Sequence, residues 1–504
     1  MKKYLALVLA LALTLSMAVI PAMAEERETI RVAILDRSAV PTEQGTYEDN
    51  WATRWINENS PVAVEFVPVT RSSTYSTYNL WLAGGEAPDL IMEFQPEYVE
   101  EWANMGLLHE LHDLIDEYMP SYRTLTSEDA QKWGYIGDEE YAIIQERSEV
   151  SVINHMVYVR TDWLENLGLS MPTNWEEFEN VVRAFTEDDP DGNGVNDTWG
   201  WSLADRYQTA IQSMYGVANA NWYKNADGTF DSAYVMEERL EAQKFMEKCI
   251  DNGWADIEYL SYDSETPYTQ FATGKTGFLV CEHANLYNKA YKTLKANFPD
   301  ATVAVMPSFT EYGYYQEREC AFLNVIPATC KNPAAVLQYL EWMITDGWEM
   351  VTRGVEGEDY QMIDGAAVTK LDTDAYKAKF GYTNEYAVVK HDAKSGTIAA
   401  MRVAAENDPD PIMREGKLID CDAMEKTKDI KYRRDTPTAN LGVEEVVDYM
   451  TDLNTVADEY YAKALADKDY TSEQAYEDIK REWENMDYEM IKEAFNEKAA
   501  ELGL

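Results

Sequence analysis

The sequence has few of the residues on which metal, thiol and imidazole chemistry depends. Its 504 residues include only five cysteines and five histidines. Five cysteines are an odd number and too few for a disulfide framework in so long a chain. A bridge between Cys320 and Cys330 and buried free thiols both stay open. His109 and His112 lack the i, i+4 spacing with which two imidazoles reach one zinc ion, which disfavours a zinc enzyme.

Positive charge is also scarce. The chain has 43 lysines and arginines against 91 aspartates and glutamates, which gives a formal net charge of −48 at pH 7. A surface this negative repels the phosphate backbone of nucleic acids and anionic lipid headgroups. We therefore expect neither nucleic acid nor a membrane surface as a partner.

A long apolar run occurs only at the N-terminus. Lys2 and Lys3 precede the apolar run Leu5–Ile20, and Pro21–Ala24 then supplies an Ala-x-Ala cleavage site. This order of features predicts a secretory signal peptide over residues 1–24. No cysteine stands at the cleavage site, so we expect no lipoprotein anchor there. With no later run of 18 apolar residues, we expect a secreted, cell-surface-associated protein.

Motifs of familiar enzymes are missing as well. The sequence has no G-x-S-x-G elbow. Gly274-Lys275-Thr276 imitates the end of a phosphate-binding loop, but Thr269 stands where that motif requires its first glycine. Carboxylates are too numerous for the sequence to single out a glycosidase pair. We therefore expect a binding protein rather than an enzyme.

Aromatic residues, in contrast, are abundant. Phe, Trp and Tyr make up 12% of the chain, with 14 tryptophans and 34 tyrosines. Flat rings with polar edges suit a surface that stacks on sugars or peptides.

The N-terminal part alternates between strands and helices. We predict strands at Thr29–Leu35, Val62–Val69 and Pro88–Met92, with helices at Tyr47–Asn59 and Ser73–Leu82 between them. This order predicts a parallel, doubly wound sheet. In such sheets ligands lie beyond the carboxyl ends of the strands. The candidate binding residues are Asp36, Arg37, Thr70, Arg71, Glu93, Phe94 and Gln95, with solvated loop positions as the alternative for each.

The stretch from Val159 to Gly200 carries a helix and then an acidic loop. Thr173 is predicted to cap the helix, with Glu176 closing a capping box. The predicted apolar face of the helix comprises Trp175, Phe178, Val181, Val182 and Phe185. In the loop, oxygen-bearing side chains alternate around a turn glycine, as in the first half of a calcium loop. Gly200 stands where a bidentate glutamate would close the cage, so a solvated turn stays open beside bound calcium.

For the remainder of the chain, the sequence predicts only the main elements. We predict a helix at Glu237–Asn252, strands at Gly277–Cys281 and Thr302–Met306, and a helix capped by Asn332. Residues 354–440 look irregular and are interpreted as insertion loops. Residues 443–502 are predicted to form two long helices that bury Tyr449, Leu453, Tyr476, Trp483 and Met490.

Several segments, in this order along the chain, carry a family resemblance. They are GGEAPDLIME (84–93), MGLLHELHDLIDEYMP (105–120), VRTDWLENLGLSMPTNWEEF (159–178) and the DPDGNG loop (189–194). The chain resembles the family 1 extracellular solute-binding proteins of ABC sugar importers. Within that family it is most similar to the large group with a calcium loop, which binds oligosaccharides or alginate-like polymers.

The resemblance implies an α/β fold of the type II periplasmic-binding-protein kind. Two lobes, residues 25–145 with 318–400 and residues 150–310 with 401–504, would close over a ligand at a hinge. The calcium ligands it implies are Asp189, Asp191, Asn193, the Val195 carbonyl and Asp197. Thr198 replaces an acid that is common in the family, which removes one carboxylate.

The resemblance also implies the partners: an oligosaccharide ligand and the permease subunits of an importer, with the protein itself a monomer. To the strand-end residues of lobe 1 it adds, from lobe 2, Trp201, Trp222, Tyr223, Glu282 and His283. Core packing is the alternative for Trp201, whereas the polar surroundings of Trp222 favour exposure. A secreted carbohydrate-active or binding protein without a transporter, and a binder of peptide-like solutes, remain alternative functions.

Overall fold

The computed structural model describes residues 27–153, 155–391, 396–437 and 440–504. The predicted signal peptide, residues 1–24, lies outside this range. Within the described residues, no helix combines the length and the apolar character needed to cross a membrane. The chain forms two α/β halves, which we call lobe 1 and lobe 2 and define by their sheets.

Lobe 1 is organised around five strands. They are β1 (Thr29–Asp36), β2 (Ala63–Thr70), β3 (Ile91–Glu93), β6 (Ala142–Glu146) and β12 (Cys320–Val325). β1 pairs in parallel with β2, and a parallel bridge from Val32 to Leu90 leads into β3. The parallel order predicted for these three strands is therefore confirmed. β12 enters from lobe 2 and pairs antiparallel with both β3 and β6, so the sheet is mixed rather than parallel throughout.

Helices cover both faces of the lobe 1 sheet, because its central strand is apolar on both faces. In β1, Val32 and Ile34 belong to one buried cluster and Ala33 to the cluster on the opposite face. The helices of this lobe are α1 (Trp51–Asn59), α2 (Thr74–Gly84), α3 (Pro96–Asn104), α4 (His112–Tyr118), α5 (Pro120–Leu125), α6 (Glu128–Gln131), α14 (Pro333–Trp342), α15 (Trp348–Arg353) and α16 (Thr373–Phe380). A short hairpin, β4 (Tyr135–Ile136) and β5 (Glu139–Glu140), precedes β6.

Lobe 2 has a smaller, antiparallel sheet. β7 (His155–Arg160) lies between β10 (Phe278–Glu282) and β11 (Val303–Val305). Its helices are α7 (Glu149–Val152), α8 (Thr161–Asn166), α9 (Trp175–Glu187), α10 (Asp205–Met214), α11 (Glu237–Asp251), α12 (Thr266–Ala272) and α13 (Tyr291–Asn297). A hairpin of β8 (Trp222–Lys224) and β9 (Phe230–Ser232) completes this part.

The described residues between 354 and 440, expected to be insertion loops, include several helices and a hairpin. It contains α16, a hairpin of β13 (Tyr360–Ile363) and β14 (Ala366–Thr369), α17 (Ile398–Glu406) and α18 (Pro411–Thr427). Ile398 of α17 and Met424 of α18 are buried in a lobe 2 core cluster. The insertion-loop prediction was wrong because these helices are amphipathic only in part, so their apolar spacing is a weak signal.

The C-terminal region forms three helices rather than the two predicted. They are α19 (Glu444–Ala466), α20 (Ser472–Asn485) and α21 (Tyr488–Glu501). Leu453, Tyr476 and Trp483 are buried as expected. Tyr449 and Met490 were expected inside, but they are 50% and 47% exposed because the α19 and α21 faces that carry them point to solvent.

The N-terminus of α9 is capped one residue later than predicted. The side chain of Asn174, not Thr173, accepts the backbone N–H of Glu177. The Thr173 backbone and hydroxyl both donate to the Glu177 carboxylate at 2.8 Å, a role that the sequence assigned to Glu176. The predicted apolar face of α9 is otherwise correct, with Phe178, Val182 and Phe185 fully buried, although Trp175 is only half-buried.

Candidate functional site

Three adjoining cavities form a continuous cleft between the lobes. The lobe 1 cavity has a volume of about 660 Å³, the lobe 2 cavity about 720 Å³, and a smaller rim cavity about 210 Å³. Tyr315 lines all three, and Gln95 and Arg318 line both the lobe 1 and the rim cavities. Tyr315 lies on the segment that carries the chain from lobe 2 into β12. The cleft is therefore centred on a connection between the lobes.

The carboxyl ends of four strands form the wall of the lobe 1 cavity. β1, β2, β3 and β6 run in the same direction, because β3 and β6 are both antiparallel to β12. Of the residues predicted from the strand-end rule, Arg37, Arg71, Glu93, Phe94 and Gln95 line this cavity. Asp36, also predicted, is not among the described lining residues, and its carboxylate accepts the backbone N–H of Ser38.

Three polar side-chain atoms on this wall are buried without a hydrogen-bond partner among the described residues. Glu93 is 2% exposed, and its Oε1 accepts the backbone N–H groups of Phe94 and Gln95 at 2.6 and 3.0 Å. Its second oxygen, Oε2, has no hydrogen-bond partner within the described part of the chain, and the same holds for Gln145 Oε1 and Arg147 Nε. Burial raises the pKa of Glu93. Buried polar atoms without partners are costly, so this wall is suited to a polar ligand.

Guanidinium groups dominate the charge of the lobe 1 cavity. Arg37 forms an ion pair with Glu385 at 2.6 Å, and Arg147 a longer one with Glu317 at 3.4 Å. The Arg71 guanidinium stacks 4.9 Å from the centre of the Phe94 ring, and among the described residues it forms no hydrogen bond or ion pair. Partial burial and then the charge of Arg37 lower the pKa of Arg71.

Sequence reasoning missed part of this wall. Gln145 and Glu146 are the last two residues of β6, and Arg147 and Ser148 follow it, but none of the four is among the residues predicted to bind a ligand. The polar interruption at 146–149 was the available signal that one strand ends there and the chain crosses to the other lobe. Arg318 and Tyr315, on the return crossing, had no comparable signal.

In the lobe 2 cavity, one carboxylate is fully engaged. Glu282, at the end of β10, receives hydrogen bonds at 2.9 and 2.6 Å from Arg206 Nε and Nη2 on α10. Its other oxygen accepts from Asn285 at 2.6 Å and from the Tyr268 hydroxyl at 3.3 Å. Burial alone would raise the pKa of Glu282, but the charge and hydrogen bonds of Arg206 outweigh it and lower the pKa to about 2. The predicted residue Glu282 therefore lies in the cleft and is ionised at neutral pH.

Tyrosines contribute to the lining of the lobe 2 cavity, although Tyr259 and Tyr268 are only 6% and 3% exposed. Tyr259, Tyr262 and Tyr268 line it together with Tyr315. The Tyr315 ring packs 5.2 Å from His155, and the His155 backbone N–H donates to the Tyr315 carbonyl oxygen at 3.0 Å. Rings of this kind beside hydroxyl, amide and carboxylate groups can stack on the faces of sugars.

The aromatic residues predicted from the resemblance do not supply that surface. Trp201 is 1% exposed and packs edge-on against Phe178 at 5.2 Å in the lobe 2 core. Trp222, expected to be exposed, is also 1% exposed and stacks 4.1 Å from Phe495 of α21.

Tyr223 and His283, also predicted to bind the ligand, differ in where the structure places them. Tyr223 is buried, and its hydroxyl is bonded to the backbone of Ala218. Trp222 and Tyr223 contribute only to the lining of the rim cavity. His283 is half-buried and is not among the described residues that line the three cavities.

The acidic loop after α9 folds around the side chain of Asn193. The Asn193 amide donates to Asp191 at 2.9 Å and to Asp197 at 3.3 Å, and the Asn193 backbone N–H donates to Asp189 at 3.1 Å. Burial, the Asp189 carboxyl and the charge of Asp197 raise the pKa of Asp191. Three carboxylates, an amide oxygen and the Val195 carbonyl have the chemistry of a calcium site.

The present geometry of this loop is nevertheless that of a hydrogen-bonded turn. Lys275 Nζ lies 2.5 Å from Asp197, where it competes with a cation. Across the described residues, no group of three or more His, Cys, Asp or Glu is arranged to hold a metal ion. Val195 is 56% exposed, and its backbone N–H donates to the Asn193 side-chain oxygen.

Packing explains why the twelfth loop position is glycine. A Cβ atom at Gly200 would lie 1.8 Å from the carbonyl oxygen of Val182 in α9. The Gly200 backbone N–H is held by the Thr186 hydroxyl at 2.8 Å. No side chain fits at this position, so the glutamate that closes an EF-hand is excluded by the helix beside the loop.

Two α/β lobes with a polar, ring-lined cleft between them define a protein that encloses a solute. Residues 39–350 match the family model of the bacterial extracellular solute-binding proteins. The chain belongs to this family, and the predicted type II periplasmic-binding-protein fold is confirmed.

Two curated relatives come from Bacillus subtilis. The chain is 26% identical to lipoprotein LipO over 60% of this chain and 62% of the relative. It is 25% identical to the polygalacturonan/rhamnogalacturonan-binding protein YtcQ over 58% of this chain and 60% of the relative. The matched part thus spans less than two thirds of the length of these relatives.

Solved structures share the fold over almost the whole chain. An HMO-binding, ABC-transporter-associated solute-binding protein of Bifidobacterium longum infantis has a TM-score of 0.73 at 16% identity, covering 94% of this chain and 98% of the other. An EF-hand mutant of Streptococcus pneumoniae FusA with fructo-nystose has a TM-score of 0.67 at 17% identity, covering 94% and 100%. The alginate-binding protein AlgQ2 without calcium ion has a TM-score of 0.68 at 16% identity, covering 94% and 98%.

Proposed function

We propose that this protein is the extracellular substrate-binding component of an ABC-type carbohydrate importer. It captures an oligosaccharide between the two lobes and delivers it to the permease subunits, as a monomer and without a reaction of its own. The family membership and the similarity to carbohydrate-binding proteins support this function. Membership of an extracellular family also fits a secreted or cell-surface protein.

The observation that carries the proposal is the continuous cleft around Tyr315. Small-molecule sites usually have volumes of roughly 300–1,000 Å³. Both larger cavities fall in that range, and they adjoin. Two joined cavities of this size suit a ligand of several rings better than a single monosaccharide.

Isothermal titration calorimetry of the mature protein against a panel of plant and host oligosaccharides tests the proposal. We expect saturable heat with at least one oligosaccharide, and weaker heat with its monosaccharide units. Heat with short peptides but with no glycan would favour a peptide-like solute and would exclude the sugar assignment.

The link to transport needs a separate test. A secreted binding protein that has no transporter would bind the same sugar. Deletion of the gene should abolish uptake of the bound oligosaccharide if the protein serves an importer. Unchanged uptake would favour a carbohydrate-binding role outside transport.

We also propose that the loop from Asp189 to Asp197 binds a structural calcium ion. The three carboxylates, the Asn193 side-chain oxygen and the Val195 carbonyl would hold the ion, which would brace the loop against α9. Calcium should raise the melting temperature of the chelator-treated protein by several degrees, and Asp191→Asn should remove most of that increase. A melting temperature that does not respond to calcium would leave the loop as a plain turn.

A further inference from the structure

The charge in the lobe 1 cavity opposes that of the rest of the protein. Acidic residues outnumber basic ones 91 to 43 in the chain. The cavity lining reverses this balance, with five cationic side chains and three carboxylates. The cationic side chains are Arg37, Arg71, Arg147, Arg318 and Lys390. One of the three carboxylates, Glu93, is shifted towards its neutral form by burial.

Arg71 is the least compensated of these cations. Its guanidinium group has the contact with Phe94 and no hydrogen bond or ion pair among the described residues. The like charges of Arg37 and Arg147 act on it, against the opposite charges of Glu385 and Glu317. Arg37 is paired with Glu385 at 2.6 Å and Arg147 with Glu317 at 3.4 Å, which leaves the Arg71 guanidinium without a direct partner of opposite charge. A guanidinium group held in this way is suited to bind a carboxylate through two parallel hydrogen bonds.

The buried atoms of this wall that lack a hydrogen-bond partner indicate which other groups the ligand carries. Arg147 Nε is a buried donor that needs an acceptor, and Gln145 Oε1 is a buried acceptor that needs a donor. Glu93 Oε2 is a buried carboxyl oxygen that a hydroxyl group can satisfy in either protonation state. A simple anion such as phosphate satisfies the donors only. A sugar acid brings a carboxylate for the guanidinium groups and hydroxyl groups for the acceptors. The combination therefore distinguishes a hydroxylated carboxylate from an inorganic anion.

We infer that the lobe 1 cavity binds a carboxylate-bearing sugar ring through Arg71 and Arg147, so that the ligand is an acidic oligosaccharide. This inference rests on the proposed function and names its substrate class. Neutral rings of the same chain would occupy the lobe 2 cavity, where Glu282 is already neutralised by Arg206.

Matched pairs of ligands that differ only in the oxidation of C6 test the inference. The probes are α-1,4-linked trigalacturonate against α-1,4-linked galactotriose, and β-1,4-linked triglucuronate against cellotriose, with inorganic phosphate as a further probe. We expect the acid of at least one pair to bind about tenfold or more tightly than its neutral partner. We expect no saturable binding of phosphate.

Variants test whether the guanidinium groups cause the preference for the acidic ligand. Arg71→Gln should weaken binding of the acid about tenfold while changing the affinity for neutral ligand less than about threefold. Arg71 forms no ion pair within the described chain, so this variant should fold, and Arg147→Gln provides a second test. Arg183→Gln on α9 is the matched control. Arg183 pairs with Glu187 and Asp188 away from the described cleft lining, so the control makes the same change in net charge without affecting acid binding.

The outcomes separate this inference from the function on which it rests. If a neutral oligosaccharide binds as tightly as every acid, or if Arg71→Gln leaves the acid preference intact, the inference is wrong and the proposed function stands. Phosphate that saturates the cavity and competes with the acid would also overturn it, in favour of a plain anion site. If no glycan binds at all, the proposed function itself fails.

Discussion

The two halves of the cleft have opposite electrostatic designs. In the lobe 2 cavity, Glu282 is satisfied by Arg206, Asn285 and Tyr268, and its pKa is lowered to about 2. In the lobe 1 cavity, Glu93 keeps one oxygen without a partner and has a raised pKa, and Arg71 has no counterion within the described residues. One wall is internally neutralised before a ligand arrives, and the other retains groups that only a ligand can satisfy.

The two walls therefore recognise different properties of a ligand: lobe 2 its shape and lobe 1 its charge. A wall whose charges are already paired contributes a rigid surface, and its tyrosines determine which ring shapes fit. A wall with unmet charges costs stability in the empty protein and regains it on binding. Substitutions in lobe 2 should therefore reduce stability, whereas those in lobe 1 should mainly change binding.

The largest effect on stability is expected from Arg206→Ala in lobe 2. This substitution leaves the half-buried carboxylate of Glu282 without its cation. Removing one partner of a buried pair costs about 3–5 kcal/mol, and partial exposure should reduce this to about 2 kcal/mol. Thermal unfolding of the ligand-free protein should show a melting temperature lower by several degrees. An unchanged melting temperature would show that Arg206 is not a structural partner of Glu282.

Low pH should destabilise the protein, because it neutralises Glu282 in its ion pair with Arg206. The pKa of Glu282 is about 2 in the folded state, against an ordinary value of 4.5. Its stabilising contribution is therefore complete above pH 4.5 and is lost as the pH falls towards 2. Melting temperatures between pH 3 and pH 6 should fall less steeply for Glu282→Gln than for the unchanged protein. Parallel curves for the two proteins would contradict the lowered pKa.

For Glu93 we expect the opposite dependence of stability on pH, and a smaller effect on the melting temperature. Its folded-state pKa is raised by burial, so its contribution is complete below pH 4.5 and is lost as the pH rises through the raised value. Glu93→Gln keeps an oxygen for the two backbone N–H groups and removes the buried charge. We expect a slightly higher melting temperature at pH 7, and a lower one would refute this account of the lobe 1 wall.

The smallest effect on the ligand-free protein is expected from Arg71→Gln. Since both like and opposite charges act on the Arg71 guanidinium and it has no ion pair in the described chain, its removal should change the free energy of unfolding by less than about 0.5 kcal/mol. Chemical denaturation measures this directly, with Arg206→Ala as the contrasting variant. Destabilisation of Arg71→Gln comparable to that of Arg206→Ala would abolish the distinction between the two walls.

The sequence predicted the lobe 1 site well where local order determines the geometry. Three alternating strands placed Arg71, Glu93 and Gln95 at the carboxyl edge of a sheet, and all three line the cavity. The rule worked because parallel strands with short connections leave few alternative arrangements. It missed Arg147 because β6 and β7 are neighbours in the chain but belong to different sheets.

The lobe 2 site was harder, because distant segments determine which side chains are exposed. Trp222 lies in a polar segment, yet α21, more than 250 residues later, covers its indole with Phe495. The polar residues around Trp222 predicted an exposed side chain, but the contact with Phe495 buries it. Gly200 is a further case, since only the close approach of Val182 shows that no larger residue fits there.

Tyr315 has a consequence for how ligand length is sensed. Its backbone is bonded to β7 of lobe 2, it leads within five residues into β12 of lobe 1, and it lines all three cavities. A rotation of one lobe relative to the other is therefore expected to move Tyr315 relative to one of the two larger cavities. Occupancy at one end of the cleft should alter affinity at the other, so that free energies of binding for successive sugar units are cooperative rather than additive. A chain long enough to contact both sides of Tyr315 would be selected over two short fragments that fill the same space.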